Sequence, residues 1–389
     1  MLCATHKLCF TAIKNPLRDY QYLEYPKEEF TIHLQKASVV IADYDLIKAD
    51  FPELNHYTNS QIDAWLINNA AFMSKNQILD GTFQKTNTEI PIDALTKKIA
   101  YRPNFYGRAL VIPVQHPEEN KTIGLIDAKG VGANYPRRGS HRSGVHELDL
   151  AIEEYITEKL IDKIFHHHHT KMNTIGSYAV LYPHFDVSLQ EKDEQEYTKP
   201  AGILLRQAHR RIGGGFNSYH DMHVIKSIES LLRHYGVTSA GENFFIPQND
   251  NMRLANIQRS IDGDIVDFGT YIILEKFEDI LGWTDRGREI PSNGYLEIEL
   301  LHPSQPDTFI QPIDSIRIPV DTWGIEKNGT LYIDNMGQWS TYWANLIAKN
   351  QSQSQKLQRS IQNKFKKITD KWSSSSYHIP ENITHVLQE

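Results

Sequence analysis

The chain has 389 residues, which is enough for about two or three folding units with buried cores. Lysine and arginine total 41 and aspartate and glutamate total 48, so the formal net charge is −7, with 40% hydrophobic and 23% charged residues. This balance is typical of a globular, mildly acidic protein. It excludes a disulfide-stapled miniprotein and a chain that coats nucleic acid through net positive charge.

The two cysteines, Cys3 and Cys9, lie close together near the N-terminus, so they cannot cross-link a fold of this size. No stretch reaches the roughly 20 apolar residues of a membrane span, and the first residues lack the apolar run of a secretion signal. We therefore predict a cytoplasmic protein with no membrane span. Export as an effector, through a C-terminal or folded signal, stays open because such signals leave no mark in this pattern.

The first half of the chain alternates predicted strands with one long helix. Apolar residues at helical spacing predict a first helix over 59–75. Short β-branched and apolar runs bounded by turn residues predict four strands, at 108–114, 122–128, 176–183 and 201–206. Between the second and third of these strands, apolar residues three and four apart predict a helix of about five turns over 147–165.

The second half begins with three glycines, 213–215, which predict a hinge. A helix predicted over 222–235 ends before Gly236, a residue type favoured just after a helix. Residues 256–271 predict a hairpin, because an Asp-Gly pair joins two short apolar stretches there. From residue 350 the composition shifts to Gln, Ser and Lys, which predicts a peripheral helix and a loose tail.

This order of elements is typical of the two-lobed α+β fold of protein-kinase-like enzymes. The chain is accordingly divided into four predicted parts: an N-terminal extension (1–90), an N-lobe (91–212), a C-lobe (213–335), and a C-terminal helical extension with its tail (336–389). Such enzymes need a cation on the nucleotide phosphates, a helix carboxylate that holds the cation, and an Asn with an Asp that bind magnesium.

Lys129 is the candidate for the cation on the phosphates. It follows the predicted strand 122–128 and opens the sequence Lys-Gly-Val-Gly, in which Gly130 and Gly132 would let a phosphate approach the backbone closely. The alternative is a solvated lysine at a strand end, followed by an ordinary glycine turn.

Two glutamates are candidates for the helix carboxylate. Glu153 and Glu154 both lie on the predicted helix 147–165, and either could turn toward the sheet and meet Lys129. The alternative is that both are ordinary solvated carboxylates on a helix surface. Histidines 166–169 at the end of this helix cannot all face one ion, so we predict a solvated loop there and no zinc site.

The candidate metal ligands are Asn256 and Asp267. Asp267 opens an Asp-Phe-Gly sequence directly after an apolar pair, so it emerges at the end of a strand. Asn256 lies 11 residues earlier, across the predicted hairpin, which can bring both side chains onto one ion. We therefore predict ATP as nucleotide and Mg²⁺, or Mn²⁺, as the metal.

Three segments read together resemble the selenoprotein O family over about residues 100–275. They are AKGVGANYPRRGSHRSGVHELDLAIEEYITEKL, GSYAVLYP and AGILLRQAHRRIGG. The first is similar to the family segment that runs from a phosphate-binding lysine to a helix glutamate, and the others to its paired strands ending in an arginine. Family members are pseudokinase-like proteins that bind ATP in a flipped orientation and transfer AMP to protein hydroxyls.

The resemblance implies that Lys129 contacts the phosphates, that Glu154 is its helix partner, and that Asn256 and Asp267 bind magnesium. It also implies a pair of cationic clamps on the phosphates. The clamps would be Arg206 together with Arg210 or Arg211. Guanidinium groups suit this role because they can bind phosphate oxygens in two places. The alternative for the three arginines is an exposed basic turn.

The sequence departs from the family pattern next to the predicted metal ligand. The family places an aspartate directly before the magnesium-binding asparagine, whereas Ala255 precedes Asn256. Asp250 and Asn251 match the pattern, but Asn251 lies 16 residues before Asp267, which requires an insertion. We therefore predict Asn256 as ligand and Asp250 as the base, with Asn251 left as the alternative ligand. The glycine-rich loop is also reduced and the C-terminal redox cysteine of some members is missing.

Together these patterns predict a nucleotidyltransferase that moves AMP from Mg-ATP to a hydroxyl or other nucleophile. A protein or peptide is the expected acceptor, a small molecule is the alternative, and nucleic acid is not expected. Two other hypotheses are a kinase-like phosphotransferase and a catalytically inactive ATP-binding scaffold, which the alanine before Asn256 would favour.

Overall fold

A computed structural model describes residues 18–19, 21, 23, 26–75, 98–103, 106–132, 144–189, 197–210, 228, 231–232, 235, 237–239, 258–260, 263–269, 271–273, 295–300, 314–319, 324–327, 330–333, 335–350 and 353–374. Within these ranges the fold is mixed α/β, with five α-helices and a mostly antiparallel sheet. Four predicted site residues lie outside them: Asp250, Asn251, Asn256 and Arg211. The glycine hinge 213–215 also lies outside.

Ten strands form one sheet. They are β1 (Lys27–His33), β2 (Ser38–Ala42), β3 (Phe72–Ser74), β4 (Lys98–Arg102), β5 (Ala109–Gln115), β6 (Thr122–Lys129), β7 (His146–Glu147), β8 (Ser177–Tyr182), β9 (Asp186–Leu189) and β10 (Tyr197–Gln207). The strand order is β2-β8-β10-β6-β5-β4-β1-β3, and β7 and β9 also pair with β10. The four strands predicted from sequence are confirmed as β5, β6, β8 and β10.

The N-terminal part of the chain contributes to the same sheet. Strands β1 to β3 join it, and the helices α1 (Tyr44–Asp50) and α2 (Asn59–Ala70) pack beside it. The predicted boundary between residues 90 and 91 therefore runs within one sheet. Helix α2 ends earlier than predicted, because residues 72–74 extend and pair with β1 instead of continuing the helix.

Helix α3 (Leu148–His167) confirms the long helix predicted from the apolar stripe. Its stripe packs against β8 and β10 on one side and against α4 (Asn335–Lys349) on the other. A last helix, α5 (Ser354–Ser374), supplies Leu357 and Ile361 to the same core. The predicted histidine loop is partly wrong, because residues 166 and 167 continue α3, although their side chains are exposed.

The remaining strands form four short antiparallel ladders. They are β11 (Val237–Ser239) with β14 (Tyr271–Ile273), β12 (Gln258–Arg259) with β13 (Ile265–Val266), β15 (Tyr295–Leu300) with β16 (Asp314–Pro319), and β17 (Gly324–Lys327) with β18 (Thr330–Ile333). The predicted hairpin is confirmed by β12 and β13, with Gly263 in the left-handed conformation between them. Across the described ranges, no helix combines the length and the apolar composition needed to cross a membrane.

Candidate functional site

Three charged side chains converge where β6 ends, where α3 crosses the sheet, and where the chain leaves β13. Lys129 Nζ donates hydrogen bonds to both carboxylate oxygens of Glu154, at 2.7 Å each, and to Asp267 Oδ1 at 2.6 Å. Lys129 is 4% exposed and Glu154 is 0% exposed, whereas the Asp267 side chain is 27% exposed. We call these three residues the lysine–carboxylate cluster. Its open side is at Asp267.

Regular secondary structure fixes two members of the cluster. Lys129 is the last residue of β6, where its backbone pairs with Ala109 of β5 and Leu204 of β10. Glu154 lies in the second turn of α3, whose apolar face packs on β10. Of the two glutamates that the sequence left open, Glu154 makes the contact, so the ion pair expected with Lys129 is present.

The third member depends on an unusual backbone conformation. Asp267 has φ +64, the left-handed region that Asp and Asn tolerate better than most residues. Phe268 anchors the segment, since its ring is fully buried in the core around α3. A side chain at Gly269 would begin 3.3 Å from Glu154 Oε2, so the glycine allows the chain to pass close to the buried carboxylate.

The electrostatics of the cluster are dominated by burial and by the charge of Lys129. Burial alone would raise the pKa of Glu154, but Lys129 and the neighbouring His146 hold it well below the usual value. Burial also opposes ionisation of Asp267, yet Lys129 outweighs it and lowers the pKa of Asp267 to about 2. Both carboxylates are therefore ionised at neutral pH.

The glycine directly after Lys129 allows neighbouring strands to pack closely against the backbone. Gly130 and Gly132 both have positive φ, of 92° and 100°. A Cβ atom at Gly130 would lie 2.4 Å from the Cβ atom of His146 and 2.8 Å from the carbonyl oxygen of Gly202. The backbone at Gly130 is thus in close contact with β7 and β10. Approach of a phosphate to Gly130 and Gly132 stays a prediction.

Arg206 lies in the interior, which the alternative of an exposed basic turn did not anticipate. It is 0% exposed, and its Nε and Nη2 atoms donate to Asp127 Oδ1 at 3.0 and 2.7 Å. Its Nη1 atom lies 3.6 Å from Glu154 Oε1. Arg206 is therefore bound to carboxylates on both sides, and its contact with phosphate stays a prediction. Arg210, half-buried just after β10, also keeps its phosphate role as a prediction.

The sequence matches no known family model and no curated protein.

Sequence reasoning missed three residues around the cluster: Asp127, His146 and Arg108. Asp127 had a signal in the sequence, since it is a charged residue inside an apolar strand. In the structure it stands directly opposite Arg206 on β10. Arg108 is half-buried and directly precedes β5. Burial lowers the pKa of Arg108, and the negative charges of the nearby Asp267 and Glu154 oppose that change.

Asp267 is the member of the lysine–carboxylate cluster that could bind a divalent metal. Within the described ranges, no group of three or more His, Cys, Asp or Glu side chains is arranged to hold a metal ion. Magnesium does not require such a group, since it often binds one or two carboxylates, waters and substrate phosphates. Asp267, ionised and partly exposed, fits the role of that carboxylate.

A double-mutant cycle should detect the pair of Lys129 and Glu154 directly. We expect Lys129→Met and Glu154→Gln each to lower the free energy of unfolding, and together to lower it by about 1–3 kcal/mol less than the sum, because each single change leaves a buried partner charge. Urea denaturation measures all four proteins. Glu153→Gln in place of Glu154→Gln is the control and should give additive effects. Additivity in the Glu154 cycle would contradict the pair.

Proposed function

We propose that the chain binds Mg-ATP at the lysine–carboxylate cluster and transfers a group from it to a nucleophile, within a two-lobed kinase-like fold. The observation that carries the proposal is the placement of Lys129, which a fully buried helix carboxylate holds on one side and Asp267 meets on the other. A lysine held in this way beside a partly exposed carboxylate suits the oxygens of a polyphosphate.

Each member of the cluster has a distinct role in this proposal. Lys129 would donate to phosphate oxygens, and Glu154 would keep it extended toward them. Asp267 would bind the metal after exchanging its contact with Lys129 for one with the ion, and Asn256 would supply a second ligand. When bound, Mg²⁺ would neutralise charge on the phosphate oxygens. Asp250 would accept the proton of the attacking hydroxyl.

AMP transfer is the first candidate reaction because of the resemblance to the selenoprotein O family. In it, the oxygen of the acceptor forms a bond to the α-phosphorus, the bond from that phosphorus to the β-phosphate breaks, and pyrophosphate leaves. Phosphoryl transfer is the second candidate, and the environment of Arg206 favours it. This guanidinium is fully buried and donates to Asp127 through two nitrogen atoms, so a clamp on the terminal phosphates would require it to leave that pair.

Incubation with ATP labelled at either the α or the γ phosphorus separates the candidates. AMP transfer predicts α-label on protein, the mass gain of AMP and release of pyrophosphate. Phosphoryl transfer predicts γ-label, the mass gain of a phosphate and release of ADP. Binding of Mg-ATP with neither product, across protein, peptide and small-molecule acceptors, would support the inactive scaffold. Absence of Mg-ATP binding would overturn the proposal.

Binding of ATP is expected to depend on a divalent ion. Asp267 is ionised, so its negative charge would repel the phosphates of metal-free ATP. Bound Mg²⁺ would instead use the Asp267 carboxylate as a ligand and remove that repulsion. Calorimetry should show affinity at least about tenfold higher in magnesium than in excess chelator, which is about 1.4 kcal/mol. Asp267→Asn is the matched control and should lose most of this difference. Equal affinity of the unaltered protein under both conditions would count against the metal site.

A further inference from the structure

His146 stands behind the lysine–carboxylate cluster, in contact with its buried carboxylate. The residue is 1% exposed, and its Nε2 atom lies 3.1 Å from Glu154 Oε2. It belongs to β7, a strand of only two residues that precedes α3 directly. The same short stretch of chain therefore places both the imidazole and the start of the helix that carries Glu154.

Two glycines create the space for this arrangement. His146 is paired with Gly202 of β10, and a Cβ atom at Gly202 would lie 2.8 Å from the Cα atom of Leu148, at the start of α3. A Cβ atom at Gly130 would lie 2.4 Å from the Cβ atom of His146. Any larger residue at either position would displace β7 or α3. The fold therefore fixes His146 from two sides.

The ring of His146 is a neutral hydrogen-bond donor. Burial, reinforced by the charge of Arg108, lowers the pKa of His146 to about 4, so the imidazole carries one N–H at neutral pH. Because the Glu154 carboxylate is ionised and can only accept, that N–H is on Nε2. The Nδ1 atom is buried and has no hydrogen-bond partner among the described residues.

We propose that His146 is a positioning residue that holds Glu154 Oε2 and thereby keeps both carboxylate oxygens directed at Lys129. The inference rests on the proposed function, since it gives His146 a task in orienting the lysine that meets the nucleotide. Glu154 accepts from Lys129 through both oxygens, which requires one rotation of the carboxylate about its last bond. The N–H of His146 fixes that rotation, and a group without a donor at this point would not.

Two conservative variants of His146 separate its two nitrogen atoms. His146→Gln places an amide N–H near the former Nε2 atom, whereas His146→Asn reaches only as far as the former Nδ1 atom. Loss of a hydrogen bond to a charged group should slow turnover of Mg-ATP by about 10- to 100-fold in His146→Asn. His146→Gln should recover most of that loss. Equal loss in both variants would overturn the positioning role.

The slower turnover expected in His146→Asn should also depend on Glu154. In a Glu154→Gln background, His146→Asn should slow turnover no further, because the group through which His146 acts is already altered. A residue that only fills space would cause the same loss in either background. An additional loss of tenfold or more in the Glu154→Gln background would therefore overturn the inference.

A measurement that needs no nucleotide keeps this inference distinct from the proposed function. NMR of the full chain with ¹⁵N-labelled histidine, with the His146 signals assigned by their loss in His146→Gln, reports which ring nitrogen is protonated. We expect the neutral Nε2–H form at pH 7, with an Nε2 shift that changes in Glu154→Gln. A charged ring or an Nδ1–H form would overturn the inference even if turnover is found. The expected form in a protein that does not bind Mg-ATP would support the contact and overturn only the function.

Discussion

Asp267→Asn is expected to lower turnover of Mg-ATP by at least about a thousandfold, or about 4 kcal/mol in activation free energy. Asp267 carries the negative charge expected to hold the metal, and an amide in its place binds a divalent cation far more weakly. Asparagine is the suitable replacement because it tolerates the left-handed backbone at φ +64, where alanine would add strain. Rates of product release in saturating magnesium measure the effect.

The fold should survive this substitution. Lys129 keeps both contacts with Glu154 when Asp267 is altered, so the free energy of unfolding should fall by no more than about 2 kcal/mol. Asp370→Asn, at an exposed position of α5 where the carboxylate pairs with Lys366, is the control and should leave turnover unchanged and lower the free energy of unfolding by no more than about 0.5 kcal/mol. If Asp267→Asn retained more than a tenth of the turnover, Asp267 would not be the metal ligand.

The central strands and α3 could be predicted from sequence because their patterns are local. Each of the strands is a short apolar or β-branched run bounded by turn residues, and α3 is an apolar stripe at helical spacing. Strand β1 could not, because its sequence KEEFTIH starts with three charged residues and alternates poorly. It becomes a strand by pairing with β4, about 70 residues later, and such long-range pairing leaves no local pattern.

The cluster could be predicted in part for a similar reason. Lys129 and Asp267 each stand at the end of a strand, and Glu154 stands on a helix between them, so the order of elements already suggested their meeting. His146 had no such signal. The position of His146 depends on a two-residue strand and on the close packing at Gly130 and Gly202. That packing exists only once β10 and α3 are in contact.

Arg206 shows how register decides what a charged residue does. From sequence it was an arginine at a strand end, suited to phosphate. The antiparallel pairing of β10 with β6 sets it opposite Asp127, and both side chains are 0% exposed. A guanidinium in that position neutralises a buried carboxylate and lies beside Glu154, whatever else it contacts when a nucleotide is bound.

We expect Arg206→Ala to lower the free energy of unfolding by about 3–5 kcal/mol, because it leaves Asp127 as a buried charge without its guanidinium. Arg206→Lys should cost nearly as much, since an ammonium group cannot reproduce the two donations from Nε and Nη2. Urea denaturation measures both. Arg359→Ala, at an exposed position of α5, is the control and should cost less than about 1 kcal/mol.

The double variant Arg206→Met with Asp127→Leu separates stability from catalysis. Replacing a buried ion pair by apolar side chains of similar size is often neutral for stability, so most of the lost free energy of unfolding should return. Turnover should nevertheless stay about 10- to 150-fold slow, because the charge beside Glu154, and any grip on the terminal phosphates, is still missing. If turnover recovered fully together with stability, the role of Arg206 would be limited to stabilising Asp127. AMP transfer would then have to proceed without its predicted clamp, and phosphoryl transfer would become the better hypothesis.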